Sequence, residues 1–120
     1  MRRLALLTAC VPLLALSACN RGEVARVPTG EVAITQSDYR LSPQRVRVAP
    51  GRITFTVTNH ARLAHNWQLR GRGGIRGRIK TLLPGATGTL TVKLKRGTYR
   101  MYCAIGHHEQ LGEYGTVSVR

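Results

Sequence analysis

The stretch Ile53-Thr54-Phe55-Thr56-Val57-Thr58 alternates large apolar side chains with threonines. Successive side chains of an extended strand point to opposite faces, so Ile53, Phe55 and Val57 are expected to line a core while the threonines face outward. The same alternation recurs in Val32 to Thr35, Arg45 to Val48, Ala64 to Leu69, Ile79 to Leu82, Thr89 to Leu94, Thr98 to Cys103 and Thr116 to Val119. Turn chemistry separates runs at Ala49-Pro50-Gly51, Pro84-Gly85 and Arg96-Gly97. No repeat, heptad or convincing amphipathic helix interrupts them. About seven or eight short strands over residues 31–120 predict an all-β domain, a Greek-key antiparallel β-sandwich.

The first 18 residues carry a different signal. Arg2 and Arg3 precede an apolar run from Leu4 to Leu16, too short for a membrane span and of the right length for an export leader. Leu16-Ser17-Ala18-Cys19 resembles the lipobox of bacterial lipoproteins, which implies cleavage before Cys19 and acylation of its thiol; the other reading is an ordinary cleavage site with an incidental cysteine. More than one acyl chain gives stable anchoring where a single one is marginal. Residues 19–30, with Pro28 and Gly30 and few large apolar groups, read as a lipidated N-terminus and tether ahead of the domain.

Of three cysteines, Cys10 lies in the leader and Cys19 at its end, so Cys103 has no intrachain partner. An unpaired thiol outside the cytoplasm is either buried and inert or held by a metal. Beyond the leader there are 17 lysines and arginines against five acids, a net charge of +12. Such a field attracts anionic lipid, acidic proteins and polyanions, and says nothing about fold. Its densest segment, Arg70 to Lys80, reads as a flexible solvated loop between strands, the alternative being a segment that docks a partner or a membrane by charge. Export and the lack of interleaved aromatics argue against nucleic acid.

Directly after the run Thr98 to Tyr102 comes Cys103-Ala104-Ile105-Gly106-His107-His108-Glu109-Gln110-Leu111-Gly112-Glu113. A strand that delivers a thiolate into a loop with imidazoles four and five residues on is suited to a soft metal, and His65 can bring a further imidazole. With no metal, Cys103 would be a small buried hydrophobe and the histidines incidental.

Phe55-Thr56-Val57-Thr58-Asn59 followed by Ala64-His65-Asn66-Trp67, together with Tyr102-Cys103, His108 and Gly112-Glu113-Tyr114-Gly115, resembles the cupredoxins, the small copper proteins that include azurin and auracyanin. The resemblance implies one mononuclear copper held by His65, Cys103 and His108, with Asn66 hydrogen-bonding to the thiolate. A thiolate with two imidazoles suits both copper oxidation states. Two positions depart from the family. Glu113 stands where the axial ligand is usually methionine; it is expected either to coordinate, favouring Cu(II), or to point to solvent. His107 replaces a common glycine and is an alternative ligand to His108. Trp67 is expected in the core, and His60 in an ordinary loop.

These expectations describe a monomeric copper-binding electron-transfer protein held at the cell envelope. Its partner would be an acidic redox protein such as a cytochrome or an oxidase domain. The alternatives are an envelope copper carrier or sensor, and a metal-free exported module that binds polyanions. No nucleophile with a base and an orienting group supports hydrolytic catalysis.

Overall fold

The structure, a computed structural model, describes residues 23–120. The segment expected as a leader over 1–18, the expected lipidation position Cys19 and the start of the expected tether lie outside the described residues. Ten strands follow in order: β1 (Ala25–Val27), β2 (Glu31–Ser37), β3 (Arg40–Ser42), β4 (Arg45–Val48), β5 (Gly51–Asn59), β6 (His65–Gly71), β7 (Gly74–Leu82), β8 (Thr87–Leu94), β9 (Gly97–Tyr102) and β10 (Tyr114–Val119). They form a six-stranded sheet in the order β1-β4-β10-β9-β6-β7, packed on a four-stranded sheet in the order β3-β2-β5-β8. The sandwich is therefore present, with mixed sheets: β1 with β4, β4 with β10 and β2 with β5 pair in parallel.

The alternation in β5 works as its residue types require. Ile53, Phe55 and Val57 are fully buried, while on the outer face Thr54 and Thr58 pair their hydroxyls with Thr91 and Thr87 of β8, each at 2.9 Å. Trp67 of β6 is fully buried and packs on the Phe55 ring at 4.8 Å between centroids. Val32, Ile34, Leu69, Met101 and Val117 complete the centre of one continuous core. Burying residues of this size is worth about 1.5–3 kcal/mol each, and among the described residues this core, with no disulfide, carries the fold.

Two differences from the sequence reading have physical causes. Arg70 to Lys80 is not a loop: it runs through the β6–β7 hairpin, whose turn lies at Arg72 and Gly73. The strand signal is hidden because β7 is an edge strand with most side chains exposed. Its Gly77 is needed for packing, since a Cβ there would fall within 2.9 Å of two Leu90 methyls from the facing sheet. The other difference is β1, a three-residue edge strand that pairs Ala25 to Val27 with Val46 to Val48, inside the segment read as tether.

Strand direction defines two poles. β2, β5, β7 and β9 end, and β6, β8 and β10 begin, at the pole that gathers His65, Cys103 and the 103–113 loop. Buried Asn59 braces this end. Its Nδ2 donates to the carbonyls of Leu63 and Leu82 at 2.9 and 2.8 Å, and its Oδ1 accepts from the Ala61 amide at 2.8 Å. The turn leading into His65 is thus fastened from inside, and each bond broken in a buried site costs about 1–3 kcal/mol.

Candidate metal centre

Four side chains converge at that pole. His65 opens β6, Cys103 follows β9, and His108 and Glu113 come from the loop between β9 and β10. One donor atom from each lies within 4.8 Å of all the others. The His108 Nδ1 is 3.1 Å from the His65 Nδ1 and 3.5 Å from the Cys103 Sγ. Glu113 Oε2 stands 2.6 Å from His65 Nδ1 and 3.4 Å from His108 Nδ1. His65, Cys103 and Glu113 are fully buried, and His108 is 14% exposed in its side chain.

The loop reaches this conformation through its own backbone. The amides of His108, Leu111 and Gly112 donate to the carbonyls of Ile105, His107 and Glu109; the Glu113 amide donates to His108, and the Cys103 amide to Glu113. Gly112 adopts φ 121°, where a Cβ would also meet the Tyr39 carbonyl at 3.1 Å; this turn aims Glu113 inward. The loop is clamped to the large sheet by Glu109, whose Oε1 accepts from Arg70 Nη2 at 2.9 Å and Arg100 Nε at 2.6 Å. Those guanidiniums cover the rings of Tyr102 and Tyr114 at 4.5 and 4.0 Å.

Asn66 makes the expected hydrogen bond to the sulfur, through its backbone N–H rather than its side chain. Its Oδ1 accepts the Ala104 amide at 2.7 Å, and it is the backbone N–H groups of Ile105 and Asn66 that face the Cys103 sulfur. His107 is exposed and stands apart from the four clustered donors, as does exposed His60.

Three further residues have no ligand-like spacing in the sequence. Gln36 of β2 donates from Nε2 to the Asn66 carbonyl at 2.9 Å and to Glu113 Oε1 at 3.3 Å. Asp38 Oδ1 lies 3.8 Å from His65 Nε2 and accepts the Arg62 amide at 3.2 Å. Tyr39, with φ 61°, sets its ring edge-on to His108 at 5.1 Å.

The donor set fits a metal better than it fits itself. Despite its 2.6 Å approach to His65 Nδ1, Glu113 Oε2 has no hydrogen-bond partner, and a buried carboxylate oxygen left so is costly. Lone pairs of sulfur, two ring nitrogens and an oxygen crowd one point rather than pair off. Without a cation, burial pushes the Glu113 carboxyl up to about 7 and raises the Cys103 thiol. Burial first, then the facing His108, lowers His65. The pocket therefore resists charge until one arrives to balance it.

This gives the metal-free protein a pH signature. A carboxyl raised from 4.5 to about 7 binds more protons folded than unfolded between those values, so its contribution to stability falls as pH rises through the window and stays lost above it. The loss is at most on the order of 3 kcal/mol. Lowered His65 acts oppositely below 6.5. In denaturant melts of metal-free protein, Glu113→Gln should gain on the parent chain between pH 4 and pH 8; an unchanged difference would show that Glu113 is ionised at no cost.

The chain matches the Cupredoxin-like domain family over residues 5–114. It is 30% identical over 89 residues to the Iron uptake system component EfeO of Escherichia coli strain K12, an alignment that takes in 74% of this chain and 23% of that protein. The chain thus spans under a quarter of the length of the curated relatives it matches. The sandwich superposes on reduced auracyanin from Roseiflexus castenholzii with a TM-score of 0.71 at 20% identity, covering 78% of this chain and 99% of auracyanin. The purple cupredoxin of Nitrosopumilus maritimus gives 0.56 at 22% identity, over 74% and 99% of the two chains.

Proposed function

The chain belongs to the cupredoxin-like family, and from that premise we propose that it binds one copper ion and carries single electrons at the cell envelope. The observation that carries this reading is the convergence of Cys103, His65, His108 and Glu113 within 4.8 Å. His65, Cys103 and His108 would hold the metal, with Glu113 as fourth donor. Bound copper supplies a one-electron couple that a thiolate with two imidazoles accommodates in both states.

The protein's own part is to hold the donors still. His65 is fixed by β6, Cys103 and Glu113 are tied by the Cys103–Glu113 backbone bond at 3.1 Å, and Gln36 braces Glu113 and the Asn66 carbonyl. A site that need not rearrange transfers electrons without a reorganisation penalty. His108, the only one of the four with exposed side-chain surface, offers the edge at which a partner would exchange them. The leader over 1–18 would export the chain, acylated Cys19 would anchor it and the tether through residue 30 would give it reach. The partner would be an acidic redox protein, such as a cytochrome or oxidase domain, meeting a monomer of this chain.

A second reading is metal handling at the envelope. It is favoured by the carboxylate in the donor set, a harder ligand than a thioether, and by the likeness to a protein named as an iron uptake component. Titration of the purified protein with Cu(II) and, separately, Fe(III) separates the readings. One equivalent of copper giving an intense visible thiolate band, a reversible couple and slow loss to a chelator supports electron transfer. Exchange within minutes, or tighter retention of iron, supports handling. No band with copper overturns the first reading.

A further inference from the structure

The pole opposite the metal cluster carries a concentration of charge that the site does not use. β4, β8 and β10 end there and β5 and β9 begin there. Arg26, Arg47, Arg52, Lys93, Lys95 and Arg96 are all exposed, and among the described residues none of them has an ion pair with an acid. Two pairs are set against themselves: Arg26 lies directly beside Arg47 across β1 and β4, and Arg52 directly beside Lys93 across β5 and β8. Like charges in register across a sheet cost stability, a cost that an external anionic surface would reverse.

The opposite pole is less one-sided, because acids offset its cations: Glu109 pairs with Arg70 and Arg100. Asp38, Glu109 and Glu113 cluster there, leaving only Glu23 and Glu31 of the described acids towards the basic end. In a negative field this asymmetry turns the molecule basic end first. The basic end also presents a groove of about 350 Å³ lined by Val27, Pro28, Val48 and Ala49 between the guanidinium-bearing Arg26, Arg47 and Arg120. Apolar carbon framed by cations suits a layer of phosphate headgroups over hydrocarbon better than a soluble polyanion. No aromatic side chain lines that groove to stack a base.

We infer that this basic pole seats on an anionic phospholipid surface, holding the metal pole away from the membrane and towards soluble partners. The nine residues of β5 span the sandwich from pole to pole, so the metal cluster stands about 30 Å above the headgroups. The orientation stands on charge and topology, and does not require that the metal be copper.

The test uses residues 19–120 with Cys19→Ser, which removes any acyl anchor; every core residue lies within that span. Co-sedimentation with vesicles of phosphatidylcholine containing a third phosphatidylglycerol should exceed binding to pure phosphatidylcholine at least tenfold, and should weaken with salt. Arg52→Gln, Lys93→Gln, Lys95→Gln and Arg96→Gln combined should lose at least tenfold. Arg40→Gln, Arg62→Gln, Arg78→Gln and Lys80→Gln, an equal change in net charge away from that pole, should stay within threefold. Acetylation footprinting of the parent needs no variant to fold: Lys93 and Lys95 should be protected on vesicles while Lys80 stays reactive. Equal losses in the two variants, protection of Lys80 alongside the others, or binding to heparin without binding to vesicles would each overturn the proposal.

Discussion

Cys103→Ser is expected to abolish the visible band of the copper-loaded protein and weaken copper retention by more than about a hundredfold, while leaving the sandwich folded. Cys103 is fully buried and its sulfur lies 3.5 Å from His108 Nδ1. It is the only soft donor of the four, and the band arises from sulfur-to-copper charge transfer. Replacing even an outer-shell partner of a metal ligand commonly costs 10–100-fold in affinity, so the loss of the thiolate must cost more. The fold tolerates the change because the amides of Ile105 and Asn66, which face the sulfur, can donate to a serine oxygen instead. The expected loss of stability is about 1 kcal/mol, the low end of the range for a newly buried polar group. Absorption, chelator competition and a thermal melt on one preparation decide it; a band that survives in the serine variant would place the copper elsewhere.

The strands that could be read from sequence are those with one face in the core and one in solvent. Ile53, Phe55 and Val57 announce β5 because burial and exposure alternate along it. Arg45–Val48 is legible for the same reason, even with only four residues. Only the end of β7, Ile79 to Leu82, was legible; its first half, an exposed edge run of arginines and glycines, leaves no period to detect. Parallel pairing of β2 with β5 and of β4 with β10 also has no local signature: it is decided by which chain ends the core brings together.

The site divides along similar lines. Cys103 and His108 stood out by donor type and spacing, His65 and Glu113 as a set with them only through the family resemblance, and Glu113 with a solvent-facing alternative that its full burial overturns; the fold brings all four together. The choice between His107 and His108 could not be read from spacing. The loop's turn bonds, His108 to Ile105 and Leu111 to His107, direct one ring inward and leave the other exposed. Gln36, Asp38 and Tyr39 were invisible, because a residue that braces a donor from another strand needs only a reach of a few ångströms, not a sequence interval. Their contribution appears only where β2 ends beside β6 and the loop.

Glu113→Met is expected to raise the midpoint potential of the copper-loaded protein by at least about 120 mV, the equivalent of a hundredfold change in the preference between the two oxidation states at 59 mV per tenfold. Glu113 is fully buried, with Oε2 2.6 Å from His65 Nδ1 and Oε1 3.3 Å from Gln36 Nε2. A thiolate and a carboxylate together neutralise Cu(II), whereas the same pair around Cu(I) leaves one buried negative charge without compensation. With methionine the reduced site is the neutral one, and burial favours whichever state is neutral. The packing survives, since Gln36 Nε2 keeps its bond to the Asn66 carbonyl at 2.9 Å and a flexible thioether fills an irregular space well. Glu113→Gln separates the two contributions to the shift. If buried charge dominates, glutamine produces most of the rise without any sulfur; if donor softness dominates, glutamine stays near the parent and only methionine moves. Redox titration of the three proteins reads this directly, and a Glu113→Met potential equal to or below that of the parent would mean that the carboxylate does not bear on the metal.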